Sequence, residues 1–285
     1  MQPGQPSRTA LGAAVHRAVH QVLERGRVFT DPLAVRILGP DAEAAIRNAE
    51  NDLSARRLRL FIAVRSRFAE DALTAAVARG VRQLVVLGAG LDTYAYRSTF
   101  AESLRILEVD HPATQAWKRH RLAQAAIPVP GTLTFVPVDF ERESLADGLA
   151  AAGFDPTRQT FFTWLGVVPY LTEQAALSTL AFIASLPGGA HVVFDYSNSR
   201  AAGPDQDDHT SGRKALAARV ASVGETFKSH LETGALHARL AALGFAQIED
   251  LGPALIRERY FANRVDSLSD KGGHVVRATT IGRPW

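Results

Sequence analysis

The run Leu84-Val85-Val86-Leu87-Gly88-Ala89-Gly90-Leu91-Asp92-Thr93 decides the fold. Four consecutive apolar residues read as a strand buried on both faces, and the Gly-x-Gly behind them as a tight turn where a ligand can approach bare backbone. It is not the dinucleotide fingerprint, because Thr93 stands where the third glycine of Gly-x-Gly-x-x-Gly would fall. Outward from this stretch, β-rich runs at residues 104–109, 133–138, 160–165 and 191–194 alternate with helical patterns at 112–126, 143–152 and 173–185. Apolar strands joined by right-handed crossover helices leave a doubly wound, mostly parallel α/β sheet as the expected fold. Residues 243–248 and 274–281 read as two further strands, one able to enter antiparallel, joined by a long irregular connection. Together they make an expected seven-strand sheet.

The first eighty residues read as helices. Asp31-Pro32 opens a short one, with Asp as N-cap and Pro at the first helical position. Asp52 or Ser54 caps a long one that runs to Arg79 and stops at Gly80. Residues 1–80 are therefore expected to form an N-terminal helical cap and 81–285 the ligand-binding domain, as one structural unit. Residues 197–212, rich in Asp, Gly, Ser and Asn, follow the fifth strand. They are placed to form a lid over a pocket or simply a solvated loop. Within them Asp205, Asp207, Asp208 and His209 read as solvated loop residues, and no metal is expected.

Composition narrows the class. A chain of 285 residues with 46% hydrophobic and 21% charged residues is an ordinary globular protein. With no cysteine there is no disulfide, no thiolate nucleophile and no Cys-based metal site. The 32 basic and 29 acidic residues nearly cancel, which argues against a nucleic-acid partner. Arg56, Arg57 and Arg59, the densest basic cluster, read as one solvated helix face. His16, Arg17, His20, Glu24 and Arg25 interrupt any apolar targeting segment, and Pro187-Gly188-Gly189 breaks the longest uncharged run. A cytoplasmic protein without a membrane partner is expected.

Three acids end strands. Asp110, about twenty residues beyond the turn, is placed to accept both hydroxyls of a ribose; alternatively it caps the helix starting at Pro112, with Glu108 as a strand-end surface charge. Asp139, before Phe140, can read an adenine amino group while the ring contacts the base, or be a turn residue beside a core Phe. Helical spacing separates two arginines. Arg67 has Glu70 and Asp71 within reach, a surface ion pair. Arg65 has only Phe61, Ile62, Phe68 and Ala69, so it points at the core and needs an acid there. A ligand carboxylate, Asp92 or another protein acid can supply it.

The strings VVLGAGLDTYAYR (85–97), LEVDHP (107–112), VDF (138–140) and FFTWLGVVPYLT (161–172), with VFTDPLAVRILG (28–39) and VRSRF (64–68), resemble the leucine carboxyl methyltransferase family. The resemblance implies a class I methyltransferase fold, Rossmann-like with a helical N-terminal cap. It also implies S-adenosyl-L-methionine as cofactor and O-methylation of a small-molecule carboxylate or hydroxyl, or of a protein carboxyl terminus as in the eukaryotic branch. Carried over, Arg65 holds the methionine carboxylate, and Gly88, Ala89 and Gly90 line the methionine and ribose. Asp110 takes the ribose hydroxyls, and Asp139 with Phe140 the adenine. The chain departs from the pattern at Leu165, where many members carry Glu, so a contact to the cofactor's amino group is absent or replaced. Tyr94 replaces an Arg, and Val86 an acid before the first glycine. Tyr170 and Tyr196 are the substrate-side candidates, with Asp195 and His209 as further possible bases. His111 reads as a helix-start residue. No catalytic residue is assigned. The competing classes are a nicotinamide oxidoreductase, disfavoured by Thr93, and a non-catalytic small-molecule binder on the same fold.

Overall fold

The computed structural model describes residues 7–50, 55–100, 102–139, 143–198, 228–229, 231–262 and 272–281. Asp52, Ser54, Phe140 and residues 199–212 of the proposed lid, His209 included, lie outside them. Seven strands form one sheet: β1 Gln83–Leu87, β2 Arg105–Asp110, β3 Leu133–Pro137, β4 Thr160–Trp164, β5 Ala190–Ser197, β6 Gln247–Leu251 and β7 Gly273–Thr279. Their order is β3-β2-β1-β4-β5-β7-β6. The first five are parallel, and β7 runs antiparallel to both β5 and β6. Strand order reverses at β1, whose neighbours are β2 and β4. The carboxyl ends of these strands are thus a topological switch point, where open α/β sheets take their ligands.

The helices are α1 Arg8–Leu23, α2 Ala34–Leu38, α3 Asp41–Glu50, α4 Arg56–Ala78, α5 Tyr94–Arg97, α6 Pro112–Gln124, α7 Leu145–Ala151, α8 Glu173–Ala184, α9 Thr233–Ala242 and α10 Pro253–Phe261. Every residue of β1 is buried, so the strand shows no polar alternation. On one face of the sheet Leu84, Val86, Ile106, Phe161 and Val193 pack with Val64, Phe68 and Ala72 of α4. On the other, Val85, Leu107, Phe162 and Phe194 pack with Leu149, Leu180 and Leu236 of α7, α8 and α9. Ala14, Ala18, Ile37 and Leu38 of α1 and α2 close over Leu91 and Leu122. The N-terminal helices therefore sit on the turn after β1. Among the described residues no helix is long and apolar enough to cross a membrane.

Four local expectations are corrected. Residues 243–246 end a helix rather than start a strand: Leu243 caps α9, Gly244 takes φ +97°, and β6 begins at Gln247. The connection from β6 to β7 carries α10, started by Pro253. The helix expected at Pro32 begins at Ala34. Asp31 is 1% exposed and has more to do than cap: it accepts from the Leu33 N–H at 3.1 Å and lies 3.2 and 3.5 Å from Arg17 and Arg97. Arg59 is not on a solvated face. It is buried, and its Nε and Nη2 donate to Glu24 at 2.7 to 3.1 Å.

Burial alone would raise the Glu24 pKa, but His20 Nδ1 at 3.3 Å and the hydrogen bonds from Arg59 outweigh it and hold the carboxyl at about 2, below its ordinary 4.5. A depressed carboxyl contributes stability that is complete above its unfolded pKa and lost as pH falls through the folded one. Glu24→Gln should therefore be less stable than the parent at pH 7, and the gap should close between about pH 4.5 and 2. Thermal melts across that range check it; a constant gap would remove Glu24 from the acid response.

Candidate functional site

At the carboxyl end of β1 the chain turns through Gly88 (φ +65°) and Gly90 (φ +47°). The N–H groups of Gly88 and buried Ala89 donate to the Val109 carbonyl at 2.9 and 3.1 Å, which ties the turn to β2. The protein itself needs these glycines bare. A Cβ on Gly88 would overlap Val167 Cγ2, and one on Gly90 would stand 2.9 Å from Ala10 of α1. Left-handed backbone and close packing from both sides thus explain the motif before any ligand is considered.

Asp110 folds back over this turn. Its Oδ2 accepts from the Gly90 N–H at 2.5 Å and its Oδ1 from the His111 N–H at 2.7 Å. Burial pushes its pKa up, against the opposing pull of these two N–H groups and of Lys118. It does not cap α6. That role belongs to His111, whose Nδ1 accepts from the Ala113 N–H at 3.2 Å.

Glu108 is no surface charge: it is 1% exposed, 2.7 Å from Lys118 Nζ, and accepts from the Tyr96 hydroxyl at 3.1 Å. Lys118 was not anticipated. The signal was its spacing, since Thr114, Lys118 and Leu122 share one buried stripe of α6.

Arg65 does project inward, and Asp195 of β5 meets it. Nη1 donates to Asp195 Oδ2 at 2.8 Å, while Oδ1 accepts from the Gly166 N–H at 2.5 Å. Gly166 takes φ +73°, and a Cβ there would lie 2.6 Å from Arg65 Nη2. Asp92, the other partner considered, instead accepts from the Tyr94 N–H at 2.8 Å. Arg67 donates to both oxygens of Asp71 at 2.8 Å on an exposed surface. Gly88, Gly90, Asp110, Gly166, Arg65 and Asp195 therefore adjoin, with Val167 bridging the β1 and β4 ends.

The remaining candidates scatter. Leu165 is half-buried against the cluster on the α4 face. Asp139 is half-buried, and its N–H donates to Glu143 at 2.9 Å. Tyr170 is half-buried at the end of a single 3₁₀ turn, Val168–Tyr170. Tyr196 is fully committed elsewhere. It is 2% exposed, its hydroxyl donates to Asp250 at 2.7 Å, and Thr233 and His274 lie at 2.8 and 3.2 Å. His237 and His274 contact the same Asp250 carboxylate at 2.9 and 2.8 Å. Strand alternation puts this network on the face opposite Asp195. Burial also pushes the phenol pKa up, so Tyr196 is a poor proton acceptor. Asp195, engaged by Arg65 and Gly166, is equally unsuited as a base. Among the described residues no group of three or more His, Asp or Glu side chains could hold a metal.

Residues 10–184 match the family model described as leucine carboxyl methyltransferase. The chain belongs to this family. It is 37% identical over 211 residues, 72% of this chain and 67% of the relative, to the Bacillus subtilis (strain 168) protein YktD, named as an S-adenosyl-L-methionine-dependent methyltransferase. A Streptomyces coelicolor protein named in the same way is 38% identical over 192 residues, 64% of this chain and 66% of that one. In fold, the chain is similar to the crystal structure of a DUF574-family protein from Streptomyces avermitilis, at TM-score 0.54 and 15% identity over 94% and 96% of the two chains. This leucine carboxyl methyltransferase family member is an S-adenosylmethionine-dependent methyltransferase with a class I fold. The residues present fit that cofactor. They include a carboxylate held at the end of β2 and a buried guanidinium whose Nε has no hydrogen-bond partner among the described residues.

Tyr196→Phe should separate structure from substrate contact. It leaves Asp250 short of one buried donor, at a cost of about 1–3 kcal/mol. Binding of S-adenosylhomocysteine should be unchanged by calorimetry. A variant as stable as the parent but impaired in methyl transfer would return Tyr196 to the acceptor side.

Proposed function

We propose that the enzyme transfers the methyl group of S-adenosylmethionine to a carboxylate or hydroxyl oxygen of a small molecule. The observation that carries the cofactor half of this reading is Asp110 curled over the Gly88–Gly90 turn with a carboxylate oxygen 2.5 Å from the Gly90 N–H. Such a carboxylate, on the strand next to the turn, is placed to accept ribose hydroxyls. Ala89 and the two glycines line the methionine and ribose, Arg65 takes the methionine carboxylate, and Asp139 with Phe140 takes the adenine. Leu165 adds an apolar wall. The sulfonium supplies an already activated methyl, so the residues of this chain need only hold the acceptor in line and exclude water.

The family resemblance and the engagement of two candidate bases support an acidic acceptor. An ionised carboxylate needs no general base, whereas an alcohol or phenol gains from one. Among the described residues two of the sequence's own base candidates, Asp195 and Tyr196, are engaged, and Tyr170 stands at the rim of β4. This supports a carboxylate or an acidic hydroxyl as acceptor, with Tyr170 as a contact rather than a base. The N-terminal helices of residues 1–80 cover the turn and serve as the cap. The nicotinamide alternative is met by the same experiment.

Calorimetry should show binding of S-adenosylmethionine and S-adenosylhomocysteine and none of NADH. Mass spectrometry of a panel of small carboxylates, phenols and alcohols should show methyl esters or ethers with matching S-adenosylhomocysteine release. Asp110→Ala should weaken cofactor binding by about 1–3 kcal/mol, the loss of charge-assisted hydrogen bonds. Because burial raises the Asp110 pKa, parent affinity should also fall as pH drops through that raised pKa and the variant's should not. An Asp110→Ala protein that binds like the parent at every pH would refute the assignment.

A further inference from the structure

The residue before Gly166 is Leu165, so this position at the end of β4 brings no carboxylate toward the cofactor's amino group. One stands on the neighbouring strand. We infer that Asp195 binds the α-ammonium group of S-adenosylmethionine, and that the Arg65–Asp195 pair opens to receive the amino-acid zwitterion. The guanidinium takes the ligand carboxylate and the aspartate takes the ligand ammonium. This inference rests on the cofactor-site reading proposed above.

Charge matching is the first argument. Arg65 and Asp195 are opposite charges in contact at 2.8 Å, with side chains only 11% and 4% exposed. An α-amino acid presents the same two charges in reverse order. Exchanging partners turns one buried ion pair into two and leaves no charge unpaired in the bound state, which matters because an unpaired buried ion is strongly destabilising.

The second argument is donor capacity. Arg65 uses Nη1 on Asp195, while its buried Nε has no hydrogen-bond partner among the described residues. A buried donor left without an acceptor is costly, and a carboxylate that bridges two guanidinium donors satisfies it.

Position is the third. Gly166, whose N–H donates to Asp195, has room for the guanidinium because it lacks a Cβ, and Val167 next to it fills the space over Gly88. The pair thus borders the glycine turn directly. From the end of β2, where Asp110 waits, to the end of β4 is two strand spacings, ~10 Å. Ribose at one end and an amino-acid head at the other suit a ligand laid across β1. A purely structural pair tying α4 to β5 would explain the 2.8 Å contact and the glycine beneath the guanidinium, but not the orphaned Nε.

The test uses three probes with the full chain: S-adenosylhomocysteine, its deamino analogue, and 5′-methylthioadenosine, which lacks the whole amino-acid head. Asp195→Asn should weaken S-adenosylhomocysteine more than about tenfold and leave the other two unchanged by calorimetry. Arg65→Met should weaken S-adenosylhomocysteine and the deamino analogue but spare 5′-methylthioadenosine. Removing one partner leaves the other charge buried, so a second variant guards against misfolding. Arg65→Met with Asp195→Leu replaces the pair by apolar side chains and should bind all three probes equally. If Asp195→Asn weakens the deamino analogue as much as S-adenosylhomocysteine, or weakens neither, Asp195 is a structural partner only and the inference fails while the cofactor site stands. If the parent binds none of the probes, or Asp110→Ala alters none, the cofactor site itself fails and takes this inference with it.

Discussion

A guanidinium buried between a helix and a sheet must find an acid, and in this chain that requirement ties α4 to β5. Arg65 reaches Asp195, Asp195 reaches the Gly166 N–H, and Val167 then lies against Gly88. Because α4 runs directly into β1, one ion pair sets the helix, two strand ends and the glycine turn in a common frame. The same logic recurs nearby. Glu108 and Lys118 pair beneath Asp110, and Asp31 gathers Arg17 and Arg97 under the turn after β1. Along the carboxyl edge of the sheet, Glu108 and Asp195 are buried carboxylates each answered by an opposite charge, while Asp110 is held by backbone N–H groups.

The parts of the fold legible in the sequence were those set by local physics. Apolar runs without alternation marked β1 and β4, and their spacing gave the crossovers and the sheet. The last two runs, with an irregular connection between them, allow one antiparallel strand, and β7 is that strand. Boundaries blurred where a helix end and a strand start are both apolar, as at Leu243–Ala246, and where a helix as short as α10 offers too few turns for a period to show.

Charged residues were the harder case. The inward aim of Arg65 was visible from Phe61, Ile62, Phe68 and Ala69 on its face, but its partner lies 130 residues away and no spacing rule reaches that far. Arg59, read as part of a solvated face, is buried for the same reason: its partner Glu24 lies 35 residues away. Of the two readings left open at the end of β2, the surface charge at Glu108 gives way to a buried pair with Lys118. Tyr196 shows the reverse. Its place near a strand end suggested a substrate, whereas Asp250, Thr233 and His274, brought by three other elements, absorb its hydroxyl.

The position of β7 has a consequence for how the sheet can be assembled. It is the last strand in the chain and yet an interior one, lying between β5 and β6. β6 precedes it in the chain yet meets β5 only through it. The Tyr196–Asp250–His274 contacts cross all three strands and so require β7 in its place. Helix α9, by contrast, packs on β5 directly, through Leu236 and Leu240 and through the Thr233 hydroxyl beside Tyr196. Completion of this sheet by β7 is thus an insertion rather than an addition at an edge, and a truncation before β7 removes two strands from the sheet, not one.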